Sequence, residues 1–316
     1  MDWIEAKPSD NFNNKFLLLI IINLLKIKLP KCYLELITDF VKNSRIYIFE
    51  KNINNIKKHT FCDYKNLTNV IIPDTVITIG DDSFRDCRSL INIVIPNSVI
   101  SIGDYSFCDC DSLTSIIIPN SIISIGDYSF CDCKSLTSIV IPNSITSIGG
   151  YAFCDCESLI SISILNKSLD LPNLRSDSIT VIKDCTFSWC ESLTIIFVPD
   201  SITSIGNNAF FACDKLTSIE IPNSVISIGE KAFSFCTNLT SIIIPTSVIV
   251  IENETFYKCE NLTDVIIPDS VVDIGNNVFY GCKKLKQITI PDSVKYIGEK
   301  AFPKHTKIIK NKPINY

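Results

Sequence analysis

Residues 113–135 read LTSIIIPNSIISIGDYSFCDCKS, and Leu136 begins the same phrase again. Within it Leu113, Ile116 and Ile118 face one way and Ile117 the other, by the period-2 rule of an extended strand. Pro119 ends the strand because it has no amide hydrogen to give a neighbour. The Pro-Asn-Ser run at 119–121 has turn chemistry: Pro fixes φ, and Asn and Ser can bond their own backbone. Ile122 and Ile125 then start a second inward run, and Gly126 allows the next bend. Phe130 is the bulky anchor of a third side, with Cys133 packed beside it.

Working outward, Pro falls at 73, 96, 119 and 142 and again at 199, 222, 245, 268 and 291, in steps of 23. Phe falls at 61, 84, 107, 130 and 153, then at 187, 210, 233, 256, 279 and 302. The one irregular Phe step is 34, which is 23 + 11, and the extra residues are Leu165–Arg175. Ser176 then takes the Pro place. Ten units run from Leu67 to about Lys307, after a half unit at Phe61. Such a fixed period marks a solenoid, whose coils bury their apolar residues only by stacking. At ~4.8 Å per coil, ten coils make a rod on the order of 45–50 Å long. A single elongated body replaces the two domains that 316 residues would otherwise suggest.

The repeated phrase L-x-x-I-x-I-P-x-S-V-x-x-I-G-x-x-A-F-x-x-C-x-x-L resembles the BspA-like leucine-rich repeat over residues ~60–307. The resemblance implies a leucine-rich-repeat solenoid, in the α/β class by convention but mostly short parallel β-strands. It is expected as a right-handed coil of ten 23-residue repeats with a helical N-terminal cap. Departures are local: Lys183 and Glu252 replace the Gly, Tyr64 stands at a Cys place, and Ser163 interrupts the fifth unit. The resemblance also implies a protein-interaction role, since relatives include surface adhesins of bacteria and protists as well as intracellular and viral copies.

Residues 1–60 do not repeat, and a solenoid needs its open ends covered. Phe16–Ile22 and Tyr33–Val41 read as two helices split by Pro30, which would cap the first coil. Leu29–Val41 also resembles the opening helix of an F-box, which would make the chain a substrate adaptor for ubiquitin ligation. The apolar run Phe16–Leu25 is too short for a bilayer, which takes ~20 residues, so no transmembrane span is expected. No small-residue cleavage site follows it, as a signal peptide would require. Pro303 ends the last coil, and 308–316 is a basic tail.

Net charge is 29 − 34 = −5, unevenly placed. Residues 1–60 hold ten basic against six acidic side chains, and 300–316 hold five Lys and no acid. That leaves 14 basic and 28 acidic residues between them. An acidic body lacks what phosphate neutralisation demands, so nucleic acid is not an expected partner. No G-x-G-x-x-G or Walker loop occurs, and the two His (His59 and His305) sit at opposite ends, so no enzyme is expected. No cofactor is expected either.

Nine of the 15 Cys occupy one inward column, at 87, 110, 133, 156, 190, 213, 236, 259 and 282, where a thiol acts as a small hydrophobe. Cys62, Cys108, Cys131 and Cys154 directly follow Phe and are expected to point outward. Their Cys-Asp-Cys spacing is not the C-x2–4-C spacing of a zinc site, so no metal is expected. Stacked neighbours lie in disulfide range, but parallel Cβ vectors are poor geometry for the bond. Many free thiols suit a reducing compartment, which leans the localisation towards the cell interior. The five N-x-[ST] sequons would matter only on export.

Three surfaces are candidates for binding a protein partner. The outward row after the Leu is Ile71, Val94, Ile117, Val140, Phe197, Ile243 and Ile266, interrupted by Glu220 and ending at Thr289. Contiguous exposed apolar side chains mark interaction sites, although β-branched residues also suit an exposed pleated face. The small Ser row at 115, 138, 161, 218 and 241 leaves it accessible. An edge of Trp189, Phe211, Phe235, Tyr257 and Tyr280 is the second, because aromatic residues are enriched at interfaces. The insertion, with Leu169, Leu171, Pro172 and Leu174, is the third.

Overall fold

Each 23-residue phrase closes one turn of a coil, and the turns stack in register. The computed structural model describes residues 46–48, 53–164 and 179–310. Its strands all pair in parallel, each with the equivalent strand of the adjacent coil. The first side carries strands such as Asn69–Ile71, Asn92–Val94, Ser138–Ile141, Ser161–Ile164, Ile195–Phe197 and Ser241–Ile243. The second side is a stack of eleven two-residue strands, from Asn55–Ile56 to Tyr296–Ile297. The third side is a turn built round the Phe, whose amide is bonded to the next coil, as from Phe84 N–H to the Ser106 carbonyl at 2.8 Å.

The core is one continuous ladder of rows. Eleven Phe rings, from Phe61 to Phe302, stack with centroids 5.2 to 5.7 Å apart. The nine inward Cys lie beside them, all fully buried. Each does more than fill space, since its thiol donates to the backbone carbonyl of the Phe in the preceding coil. Cys87 Sγ reaches Phe61 O at 3.1 Å, and the other eight repeat the bond at 3.2 to 3.3 Å.

The bends are made differently from the sequence expectation. The recurring Gly does not sit in the left-handed region; of the glycines only Gly281 does, at φ 84°. The third side instead puts two non-glycine residues per coil there, two before and two after the Phe. Around Phe107 these are Tyr105 (φ 55°) and Asp109 (φ 60°), and around Phe130 they are Tyr128 (φ 55°) and Asp132 (φ 57°). Asp tolerates this conformation better than most residues, which accounts for the Asp row at 86, 109, 132 and 155. The turn Ser likewise bonds the preceding coil rather than its own backbone, as from Ser121 Oγ to Val99 O at 2.6 Å.

The recurring Gly serves close approach. A Cβ on Gly126 would lie 2.5 Å from Asp104 Oδ1 and from the Gly103 carbonyl carbon. That Asp104 oxygen accepts the Asp127 amide across the coil step at 2.8 Å. The Oδ1 of Asp81, Asp127, Asp184, Asn207, Asn253 and Asn276 likewise accepts a backbone amide of the next coil.

At the N-terminal end the described residues do not support the expected helical cap. The proposed helices 16–22 and 33–41, and the F-box-like segment, lie outside the described residues. Among the described residues there is no helix, and the regular elements in the described part of the expected cap are strands. Ile46–Ile48 pairs with Asn69–Ile71, and Asn55–Ile56 with Thr78–Ile79, so the coil pattern simply continues outward. At the other end Lys307–Lys310 is also a strand, paired with Gln287–Ile290. The insertion does not break the stack. Ile162 pairs with Ile139 on one side and with Ile196 on the other, and the Phe153–Phe187 stack continues. Leu165–Arg175 itself, with the third candidate surface, lies outside the described residues.

Candidate interaction surface

The first-side strands present alternate residues to the core and to solvent, so the outward row is a direct product of the period-2 pattern. Val94, Val140, Ile243 and Ile266 are exposed in it, with Ile117 at 83% and Phe197 at 60% of full exposure. Ile195 adds to it from the neighbouring row, where Ser115, Ser138, Ser218 and Ser241 are small and exposed. Ile71 does not belong to the open row. It is only 7% exposed, and Asn69, Val70 and Ile71 are all buried, the pattern of a strand covered on both faces. Ser163 and Glu220, both exposed, divide the row into an N-terminal patch (Val94, Ile117, Val140), the Ile195–Phe197 pair, and a C-terminal patch (Ile243, Ile266).

The five aromatic edge residues are brought together as a single ridge. Trp189, Phe211, Phe235, Tyr257 and Tyr280 follow one another with centroids 5.3 to 5.6 Å apart. Trp189 and Phe235 sit two residues after the core Phe, the other three one residue after it. That zigzag tilts the first three ring pairs by 56 to 59°. The Lys258 ammonium lies over Phe235 at 4.7 Å, a cation–π contact.

A second apolar row was missed from sequence. Ile77, Ile100, Ile123, Ile226 and Ile249 are exposed on the second side. Their signal was the doublet at each second-side start, as in Ile122-Ile123, whose second member has no place inside.

Over the first half of the coil the same edge is built of thiols. Cys108, Cys131 and Cys154 do not point outward as expected. They are buried in a cluster of their own, under Tyr105, Tyr128 and Tyr151. Those tyrosines stack at 4.6 and 4.4 Å. Tyr105, Tyr128 and Tyr151, each two residues before the core Phe, pack over the residue that follows it. Each thiol donates to the carboxylate that follows it: Cys108 to Asp109 at 3.3 Å, Cys131 to Asp132 at 3.4 Å and Cys154 to Asp155 at 3.0 Å. The Cys108 thiol is pushed far up by its hydrogen bond with Cys131 and then by burial. For Cys131 the bond with Cys108 pulls downward, but the bond with Cys154 and burial outweigh it. In the absence of a cation these thiols are therefore held in the protonated form.

Among the described residues no helix is long and apolar enough to cross a membrane. The family model for a BspA type leucine rich repeat region matches residues 54–174 and 180–310. Among solved structures, the chain is similar to a leucine-rich repeat protein from Bacteroides ovatus, at 26% identity over 85% of this chain and 93% of that one, with a TM-score of 0.43. It is also similar to a leucine-rich repeat protein of T. pallidum, at 25% identity over 62% and 78% of the two chains, TM-score 0.47. A third is a leucine rich cell surface protein from Faecalibacterium prausnitzii, at 26% identity over 81% and 87%, TM-score 0.37. No curated protein matches the chain.

Proposed function

Because the chain belongs to the BspA-type leucine-rich-repeat family, we propose that it is a non-catalytic scaffold that binds a protein partner through the outward row of its first side. The observation that carries this reading is the exposure of Val94, Ile117, Val140, Phe197, Ile243 and Ile266 along one face. Apolar side chains held in register on a rigid sheet give a partner a preformed surface, so little ordering entropy is lost on docking. The aromatic ridge from Trp189 to Tyr280 lies on another edge of the same coils and offers a second contact zone.

The test compares the full chain with a triple variant, Ile117→Glu, Val140→Glu and Ile243→Glu. The coil should keep its melting temperature within a few degrees, because these side chains are at least half exposed and lie outside the core. Binding to a partner captured by the unaltered chain should fall by about tenfold or more, as expected when several anchors are lost. Equal affinity would mean the row is only sheet. Export with glycosylation would favour an adhesin, and retention of the F-box-binding subunit of a ubiquitin ligase would favour an adaptor.

A further inference from the structure

Cys131, Cys154 and Asp155 bring two sulfurs and a carboxylate oxygen within 4.8 Å of one another. We propose that this cluster is a binding site for a thiophilic divalent cation of the zinc class, with solvent completing the fourth position. Zinc takes Cys sulfur at about 2.3 Å and carboxylate oxygen at about 2.0–2.2 Å, which places tetrahedral ligand atoms roughly 3.5–3.8 Å apart. Small side-chain rotations close that difference. The Cys154 proton already lies between sulfur and carboxylate, across 3.0 Å, where the cation would replace it. Each thiol gives up its proton on binding.

The surroundings select this pair of rungs. Asp132 and Asp155 carry negative charge beside the sulfurs. Lys134 contacts Asp132 at 3.9 Å and Glu157 at 4.0 Å, and among the described residues no cation pairs with Asp155. At the other end of the thiol row the Arg85 guanidinium lies 5.3 Å from the Tyr105 ring and acts on Cys108, which disfavours a cation there. Ser188 takes the next rung after Cys154 and ends the row. Asp155 is only half-buried, so the cluster is reached from solvent on its carboxylate side. The nine core thiols offer no such site, being fully buried and each committed to a Phe carbonyl. Sequence spacing pointed away from metal because the ligands come from adjacent coils, 23 residues apart, while Cys133 of the Cys-Asp-Cys run belongs to the core.

The experiment is a titration of the reduced, metal-stripped full chain with Co2+, followed by competition with Zn2+. A thiolate-to-cobalt absorption saturating at one equivalent is expected, and Zn2+ should bleach it. Cys131→Ser and Cys154→Ser should each weaken binding by about tenfold or more, and Asp155→Asn should weaken it measurably. Cys108→Ser should change it less than about twofold. Serine is native at equivalent buried rungs, Ser188 and Ser234, so these variants keep the coil, which circular dichroism checks. Absence of the cobalt band overturns the proposal. So does a band indifferent to both serine variants, or an equal loss in Cys108→Ser.

Discussion

A thiol is a weak hydrogen-bond donor, yet the core uses nine of them to bond a Phe carbonyl one coil back, and most of these carbonyls also accept a backbone amide of their own turn. This explains why the position is Cys where Ala or Val would also fill a small gap, since neither offers a donor. The contrary case lies one residue before the Phe. The hydroxyls of Ser83, Ser106 and Ser129 are buried with no hydrogen-bond partner. Equivalent rungs hold Ala152, Ala209 and Ala232, equally buried. An unmatched buried hydroxyl is costly, so Ser129→Ala should stabilise the chain by about 1 kcal/mol. Urea unfolding checks this, and a loss of stability would show that the hydroxyl has a partner after all.

At the scale of the coil, one pairing rule governs how turns approach. Wherever an Asp or Asn stands just after the Gly place, the next coil has Gly 22 residues on, as with Asp104 and Gly126 or Asn253 and Gly275. Lys183 and Glu252 break the Gly row where the preceding coil holds Gly150 and Glu230 instead. The Asp104 oxygen reaches past Gly126 to the Asp127 amide and occupies the space a Cβ would need. Gly126→Ala should therefore destabilise by about 1–3 kcal/mol. Adding Asp104→Ala should recover a large part of that loss, a coupling that a double-mutant cycle measures. Simple additivity would contradict the rule. The period, the inward Leu, Ile, Phe and Cys rows and the outward first-side row could all be read in the sequence, because they follow from alternation. The burial of Cys108, Cys131 and Cys154 could not, since it depends on the Tyr of each turn closing over the thiol, which alternation does not encode. Nor could the burial of Ile71, which depends on what lies over the first-side sheet.

The whole molecule sums small terms over many coils, and alkaline pH exposes one such sum. Burial pushes Cys87 and Cys282 up from 9.0 to about 12, and raises the other core thiols as well. Below pH 9 these thiols are protonated whether the chain is folded or not, so their contribution is fully present. Above it the unfolded chain loses protons that the folded chain keeps, and stability falls as pH rises towards 12. The melting temperature should hold level to about pH 8.5 and then drop steeply; a level curve through pH 10.5 would refute it. The inter-coil bonds also have an order. Core thiols and turn serines donate to the coil before, as Cys110 does to Phe84 and Ser121 to Val99, while third-side amides wait for the coil after, as Phe84 does for Ser106. Assembly therefore has an arrow, and it points the same way as synthesis. A nascent coil leaving the ribosome finds the acceptors of its core thiol and turn serine already laid down, while its third-side amides stay open until the next coil forms.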